Sequence, residues 1–289
     1  MNARLGIDIG GTSVKVCYIA EGQSRFAQSS QYSKPNRAEI VHAVQEAIRE
    51  LQVDLSKVHF VGLCLPGKQS ADKKMIEISV NIPFLNGWNF DSAIVELIGF
   101  YPDRYQVVGD IEAAGNDIVR NQKCVGRTAV IAIGTGVGIS IFDRDKQIEI
   151  GQRGIGHLGM LDMGQLGDSD VVAPDGSVNI LESFLGARSI EQRMINASAS
   201  SASELINQVP IDDPIMLAFI RMIRIVHAIY VPDRIVLTGG IGLGFKSRCN
   251  ELKSLIHDGL TSVANPDWEL DFGDSMYHAA SGAAMLLDE

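Results

Sequence analysis

Two Gly/Thr turns and the acids near them carry the chemistry available to this sequence. Residues 5–9 and 14–19 are β-rich runs joined by Gly10-Gly11-Thr12-Ser13, a strand–turn–strand pattern. Such a turn gathers backbone N–H groups and a hydroxyl, and its glycines let a phosphate approach closely. Asp8 ends the first run and supplies a carboxylate that can orient Mg²⁺, directly or through water. Residues 128–133, Gly134-Thr135-Gly136 and 137–142 repeat the arrangement and offer a second phosphate turn. Either turn alone also fits a tight hairpin; the pair, with an acid before the first, points to phosphate binding. Neither fits G-x-x-x-x-G-K-[ST], so a P-loop fold is not indicated.

Asp110 follows a strand pattern at 105–108 and opens a helical one at 111–121. That is the end of an element, where α/β proteins place ligands, although aspartate also serves there as a plain helix cap.

The surrounding pattern must hold these groups in place. Residues 37–52 set Ile40, Val41, Val44, Ile48 and Leu51 on one helical face, and 59–65 read as a buried strand. Residues 89–100 read as a helix with Asp91 available as its cap. Because the strand–turn–strand unit occurs twice, each time mixed with helices, two α/β domains facing across a cleft are expected. Their boundary falls in the polar stretch 115–127. Residues 164–177 are the most loop-like segment, and Lys15 reads as an outward-facing strand residue.

Composition narrows the function classes. A chain of 289 residues, 46% hydrophobic and 21% charged, can bury a core without staples or metal. Its net charge of -10 argues against a nucleic-acid partner bound through a broad basic face. ATP remains open, since local N–H groups and one metal ion hold phosphates on an acidic protein. Cys17, Cys64, Cys124 and Cys249 lie far apart, reading as free thiols in a reducing compartment. The apolar helix at 214–231 is short and carries Arg221 and Arg224, so no membrane partner is expected. With a strand starting near residue 5, no signal peptide is expected, and the location expected is cytoplasmic.

Several motifs, in order along nearly the whole chain, resemble the ROK (repressor, open reading frame, kinase) family of the actin-like ATPase superfamily. They are Leu5-Gly-Ile-Asp-Ile-Gly-Gly-Thr12, Asn81-Ile-Pro83 with Gly87-Trp88, and Gly109-Asp110 with Ala113-Ala114. Gly134-Thr135-Gly136, Leu181-Glu182 and Arg234-Ile-Val-Leu-Thr-Gly-Gly-Ile-Gly242 complete the set. The resemblance implies a two-domain α/β, actin-like (ribonuclease-H-like) fold, with residues 1–115 and 116–289 as the domains. It implies that the last helix packs back on the first domain. It also implies an ATP-dependent sugar kinase, with a small-molecule sugar and a nucleotide meeting in the cleft. On that pattern Asp110 is the general base, and Asp8, Gly10, Gly11, Thr12, Gly134, Thr135 and Gly136 hold Mg-ATP phosphates. Gly239 and Gly240 approach the adenosine, while Asn81 and Glu182 bind sugar hydroxyls. Dimers are common among such kinases, so a homodimer is the assembly the resemblance allows.

The chain departs from the family at 151–160, where Gly-Glu-x-Gly-His is usual. Pairing Gly156 and Gly159 with the family glycines puts His157 at the Glu position and Met160 at the His position. A three-residue shift puts His157 on the family His and Gly154 on the Glu; either makes His157 a sugar-facing candidate. The family's three zinc-binding cysteines are missing, since 162–180 contains no cysteine, so no structural zinc is expected. Sugar identity and a donor such as polyphosphate stay open. The rival is a ROK-fold sugar-binding or sensing protein with weak or no kinase activity. Family regulators carry an N-terminal helix-turn-helix, whereas this chain reaches its phosphate turn by Gly10.

Overall fold

The computed structural model describes residues 3–33, 35–70, 72, 74–79, 82–122, 124, 126–149, 156–168, 170–172 and 176–286. The chain forms two compact units, Met1–Asn121 with Ser275–Glu289, and Gln122–Asp274. The first segment of the first unit ends at Asn121, where one helix also ends.

The first unit contains β1 (Ala3–Ile9), β2 (Val14–Ala20), β3 (Gln23–Gln28), α1 (Arg37–Glu50), β4 (Val58–Leu65), β5 (Lys68–Gln69) and β6 (Ile76–Ile78). It continues through α2 (Phe90–Ile98), β7 (Arg104–Gly109) and α3 (Asp110–Asn121). The second holds β8 (Arg127–Ile133), β9 (Val137–Asp143), β10 (Lys146–Gln147), α4 (Leu181–Leu185), α5 (Ala187–Ala197) and α6 (Ala202–Gln208). It closes with α7 (Pro214–Tyr230), β11 (Arg234–Thr238), α8 (Cys249–Asp258) and β12 (Glu269–Phe272); α9 (His278–Ala284) belongs to the first unit.

The internal echo is a repeated topology. One sheet runs β3-β2-β1-β4-β7 and the other β10-β9-β8-β11-β12. In each, an antiparallel hairpin (β1–β2, β8–β9) is followed by parallel neighbours (β4 then β7, β11 then β12). The strands at the centre are almost wholly apolar because helices cover them, as parallel strands require. Leu5, Ile7, Ile9, Leu63 and Leu65 are fully buried in one core, Ile131, Ile133, Ile235 and Leu237 in the other.

Several helices begin where a side chain satisfies one of their first amides. Asn36 and Glu39 form a capping box on α1, and Asp213 caps α7 ahead of Pro214. For α2 the cap is Asn89 rather than Asp91. The Asn89 side chain accepts from the Asp91 amide, so Asp91 falls inside the first turn. Trp88 packs in the core between Phe84 and Phe90. Among the described residues no helix is long and apolar enough to cross a membrane.

The small residues of α9 let it lie almost against the backbone of β1, β4 and α3. A Cβ on Gly62 would fall 1.9 Å from the Ala283 carbonyl oxygen, and one on Gly6 1.9 Å from that of Ala280. A buried pair pins the same helix. His278 Nδ1 donates to Asp117 Oδ2 at 2.5 Å, and its Nε2 accepts from the Ser275 amide at 3.2 Å. Gly62→Ala should cost about 1–3 kcal/mol, since backbone rather than a flexible side chain must yield. A lower urea midpoint for the first unit checks this; an unchanged midpoint would contradict the close contact.

Candidate active site

In the first unit, the chemistry gathers at the carboxyl ends of parallel strands. Asp8 of β1 pairs in register with Cys64 of β4, and Cys64 with Val108 of β7. Two residues beyond Val108 the strand gives way to α3, whose first residue is Asp110. The two acids singled out by sequence are thus brought to one end of one sheet, the usual ligand end of such folds.

Asp8 is only 8% exposed, and burial pushes its carboxyl above the usual carboxylate range. Two neighbours oppose that shift. Lys15 stands directly across the β1–β2 ladder, its Nζ 3.9 Å from Asp8 Oδ2. The Cys64 thiol donates to Asp8 Oδ1 at 3.6 Å. Lys15 is therefore not the outward-facing residue expected: the register places it opposite the acid, and its side chain is largely covered. The thiol itself is pushed well up by burial and then by Asp8, so it stays protonated and able to donate.

Asp110 keeps an exposed surface, yet the protein around it withdraws enough bulk water to raise its carboxyl to about 6. Burial is the main cause and the Asp8 charge the second; the Ile111 amide, 2.9 Å from Oδ1, works against both. It lies within the first turn of α3, not ahead of it as a cap.

The first turn is held from outside. Gly10 N–H donates to Ser13 O at 3.1 Å, closing the hairpin. Tyr32, far along the chain, donates its hydroxyl to Gly10 O at 2.6 Å and its amide to Thr12 O at 2.9 Å. Thr12 is exposed at the tip.

The second unit has a matching cluster beyond the carboxyl ends of β8 and β11. Gly134 N–H donates to Gly136 O at 2.9 Å, and Gly134 O accepts from Ala187 N–H at 2.9 Å. Thr135 is the exposed tip. Gly239, with φ of +81°, turns so close to β8 that a Cβ would sit 2.4 Å from Ile133 O. Nothing lies within 4 Å of a Cβ on Gly240, which is exposed.

Glu182 is tucked into this turn. Its Oε2 accepts from the Val137 amide at 3.3 Å. A Cβ on Gly136 would lie 2.6 Å from that oxygen, and one on Gly159 2.7 Å from it. Gly159 belongs to the 3₁₀ turn Leu158–Met160, which follows the exposed His157. Sequence had linked Glu182 with the sugar and Gly136 with phosphate; the structure makes them neighbours. Asn81 and Gly154 lie outside the described residues. So do residues 151–153, 155 and 173–175 of the departing segments.

Lys15, Tyr32, Cys64 and Gly159 were not assigned to the site by sequence. The first could have been found by counting back along the hairpin from Asp8. The contacts of Tyr32 and Cys64 are long-range and have no local pattern.

The fit to a metal rests on Asp8. Among the described residues no group of three or more His, Cys, Asp or Glu side chains could hold a metal ion alone. One carboxylate beside a Gly/Thr turn would suit Mg²⁺, which draws its other ligands from water and phosphate oxygens.

The glycines around Glu182 make a testable unit. Gly136→Ala should displace the Glu182 carboxylate and destabilise the second unit, and Glu182→Ala should relieve that strain. A double-mutant cycle on unfolding free energy should show coupling of about 1–2 kcal/mol. Strictly additive effects would contradict the contact.

The comparisons with known proteins agree with this architecture. The ROK family model matches residues 4–288. Among curated proteins no sequence relative was found. A ROK family glucokinase from Streptomyces griseus in complex with glucose and AMPPNP superposes with a TM-score of 0.76 at 18% identity, covering 99% of both chains. A ROK hexokinase from Thermus thermophilus gives 0.67 at 20% identity, over 98% of this chain and 97% of that one. A ROK family transcriptional regulator, homolog of the E. coli MLC protein, gives 0.74 at 16% identity, over 98% of this chain and 77% of that one. The fold is that of the ROK actin-like sugar kinases, and by the span of the family match the chain belongs to the ROK family.

Proposed function

We propose that this protein is an ATP-dependent sugar kinase that transfers the γ-phosphoryl group to a sugar hydroxyl. The observation that carries the reading is Asp110. It stands at the ligand end of the sheet, in the field of Asp8, with its carboxyl raised to about 6. A base with that affinity is mostly ionised near neutral pH and binds a proton more readily than an ordinary carboxylate.

In this reading the hydroxyl proton of the sugar passes to Asp110 as its oxygen bonds to the γ-phosphorus. The bond from that phosphorus to the β–γ bridging oxygen breaks, and ADP leaves with the electron pair. Catalysis of this kind is mainly positioning and charge stabilisation. The amides of the two turns, with the hydroxyls of Thr12 and Thr135, hold phosphate oxygens. Asp8 holds Mg²⁺, directly or through water, and Lys15 keeps positive charge beside that carboxylate. When bound, the ion offsets charge on the phosphates. Gly239 and Gly240 let the nucleotide approach the second unit. Glu182, Asn81 and His157 are assigned to the sugar, where carboxylate and amide groups can take hydroxyls in pairs. A homodimer and a cytoplasmic location go with the reading.

The fold is shared with a transcriptional regulator as well as with kinases, so it does not choose between catalysis and sensing. The residues favour catalysis: a sensor needs sugar contacts but has no evident use for a carboxyl raised by burial and by the charge of Asp8. Asp110→Asn should lower kcat by about 10²–10⁴-fold while sugar and nucleotide still bind. Because Asp110 acts in its ionised form, wild-type kcat/KM should climb with pH through about 6 and level off above it. Near-normal turnover in a folded Asp110→Asn protein would sink the assignment.

A further inference from the structure

Phosphate turns work only if their N–H groups, and not their carbonyl oxygens, face the ligand. A carbonyl dipole pointing at a phosphate repels it, and a glycine-rich turn is free to swing either way. In the first turn two carbonyls are taken up by one residue. The Tyr32 hydroxyl donates to Gly10 O at 2.6 Å, and the Tyr32 amide donates to Thr12 O at 2.9 Å. The amides of Gly11 and Thr12 have no hydrogen-bond partner among the described residues and remain available.

Tyr32 is itself anchored. The strap that follows β3 hydrogen-bonds along the turn and the start of β2. Ser29 N–H donates to Val14 O at 2.9 Å, Val14 N–H to Ser29 Oγ at 3.0 Å, and Gln28 Nε2 to Ser13 Oγ at 2.9 Å. Ser30 Oγ ties the strap to α1 through Glu46 Oε1 at 2.6 Å. The ring packs against the core of the first unit and is half-buried. Burial and then the Asp8 charge push the phenol up, so it stays a donor.

We infer that Tyr32 is a positioning residue for nucleotide binding, holding the carbonyls of Gly10 and Thr12 away so that the first turn presents its amides to phosphate. The inference rests on the kinase reading for the identity of the ligand, but the clamp itself does not. Tyr32 touches the turn and is not assigned to the reacting atoms. Its hydroxyl is a single group whose removal leaves the ring and the backbone bond in place.

The test is Tyr32→Phe, read three ways. Calorimetric titration of the full protein with Mg-ATP should show affinity lowered about three- to tenfold, the scale of one neutral hydrogen bond. Amide hydrogen exchange at residues 10–13 of the ligand-free protein should speed up. The KM for sugar should stay within twofold of wild type. Unchanged ATP affinity and exchange would overturn the inference. So would an equal loss of ATP and sugar affinity with a lowered unfolding temperature, since that would make Tyr32 merely structural. Wild-type protein that binds no nucleotide would instead overturn the kinase reading, and exchange alone would then decide whether Tyr32 holds the turn.

Discussion

A carboxylate embedded at the end of an apolar strand is the constraint on which the first unit turns. Asp8 lies between the fully buried Ile7 and Ile9, where a charge is costly. Its cost is offset by a lysine that strand register alone puts opposite and by a thiol from the next strand. A slip of one residue between β1 and β2 would send Lys15 to the other face and leave the acid unpaired. Burial first, and then the charge of the same acid, raises Asp110, so the character of the proposed base depends in part on how Asp8 is held.

The second unit repeats the plan with different means. It has the same strand order and the same turn beyond the same pair of strands. Here close approach rather than charge pairing governs the site. Gly136 and Gly159 clear the space that Glu182 occupies, and Gly239 folds its turn onto Ile133. Any side chain at these positions would push on an oxygen. The glycines of the first turn serve another purpose, leaving amides exposed at a tip steadied by Tyr32.

Much of this was legible in the sequence because it is local. Strand–turn–strand repeats, the helix after Asp110 and the apolar periodicities are short-range patterns, and each reappears as an element. The family resemblance, carried by ordered motifs, matches the family model over residues 4–288. Most of the rest is cross-strand or long-range. Lys15 was read as facing outward because alternation along β2 does not reveal what stands opposite. Tyr32 meets Gly10 only because a strap folds back over the hairpin. The cap of α2 was misplaced by two residues because Asn89 and Asp91 are both good caps, and only geometry shows which carboxamide or carboxylate faces the free amide. Asn81, assigned to the sugar by resemblance alone, lies outside the described residues.

The central claim is phosphoryl transfer to a sugar, and formation of the product tests it most directly. Wild-type protein would be incubated with Mg-ATP and each of a panel of hexoses, N-acetylated amino sugars and small polyols, with phosphorus NMR following both products. The account predicts that at least one sugar yields a sugar phosphate in step with ADP. Sugars that bind with measurable affinity but yield no phosphorylated product with any member of the panel would contradict it and leave a binding protein on a kinase fold.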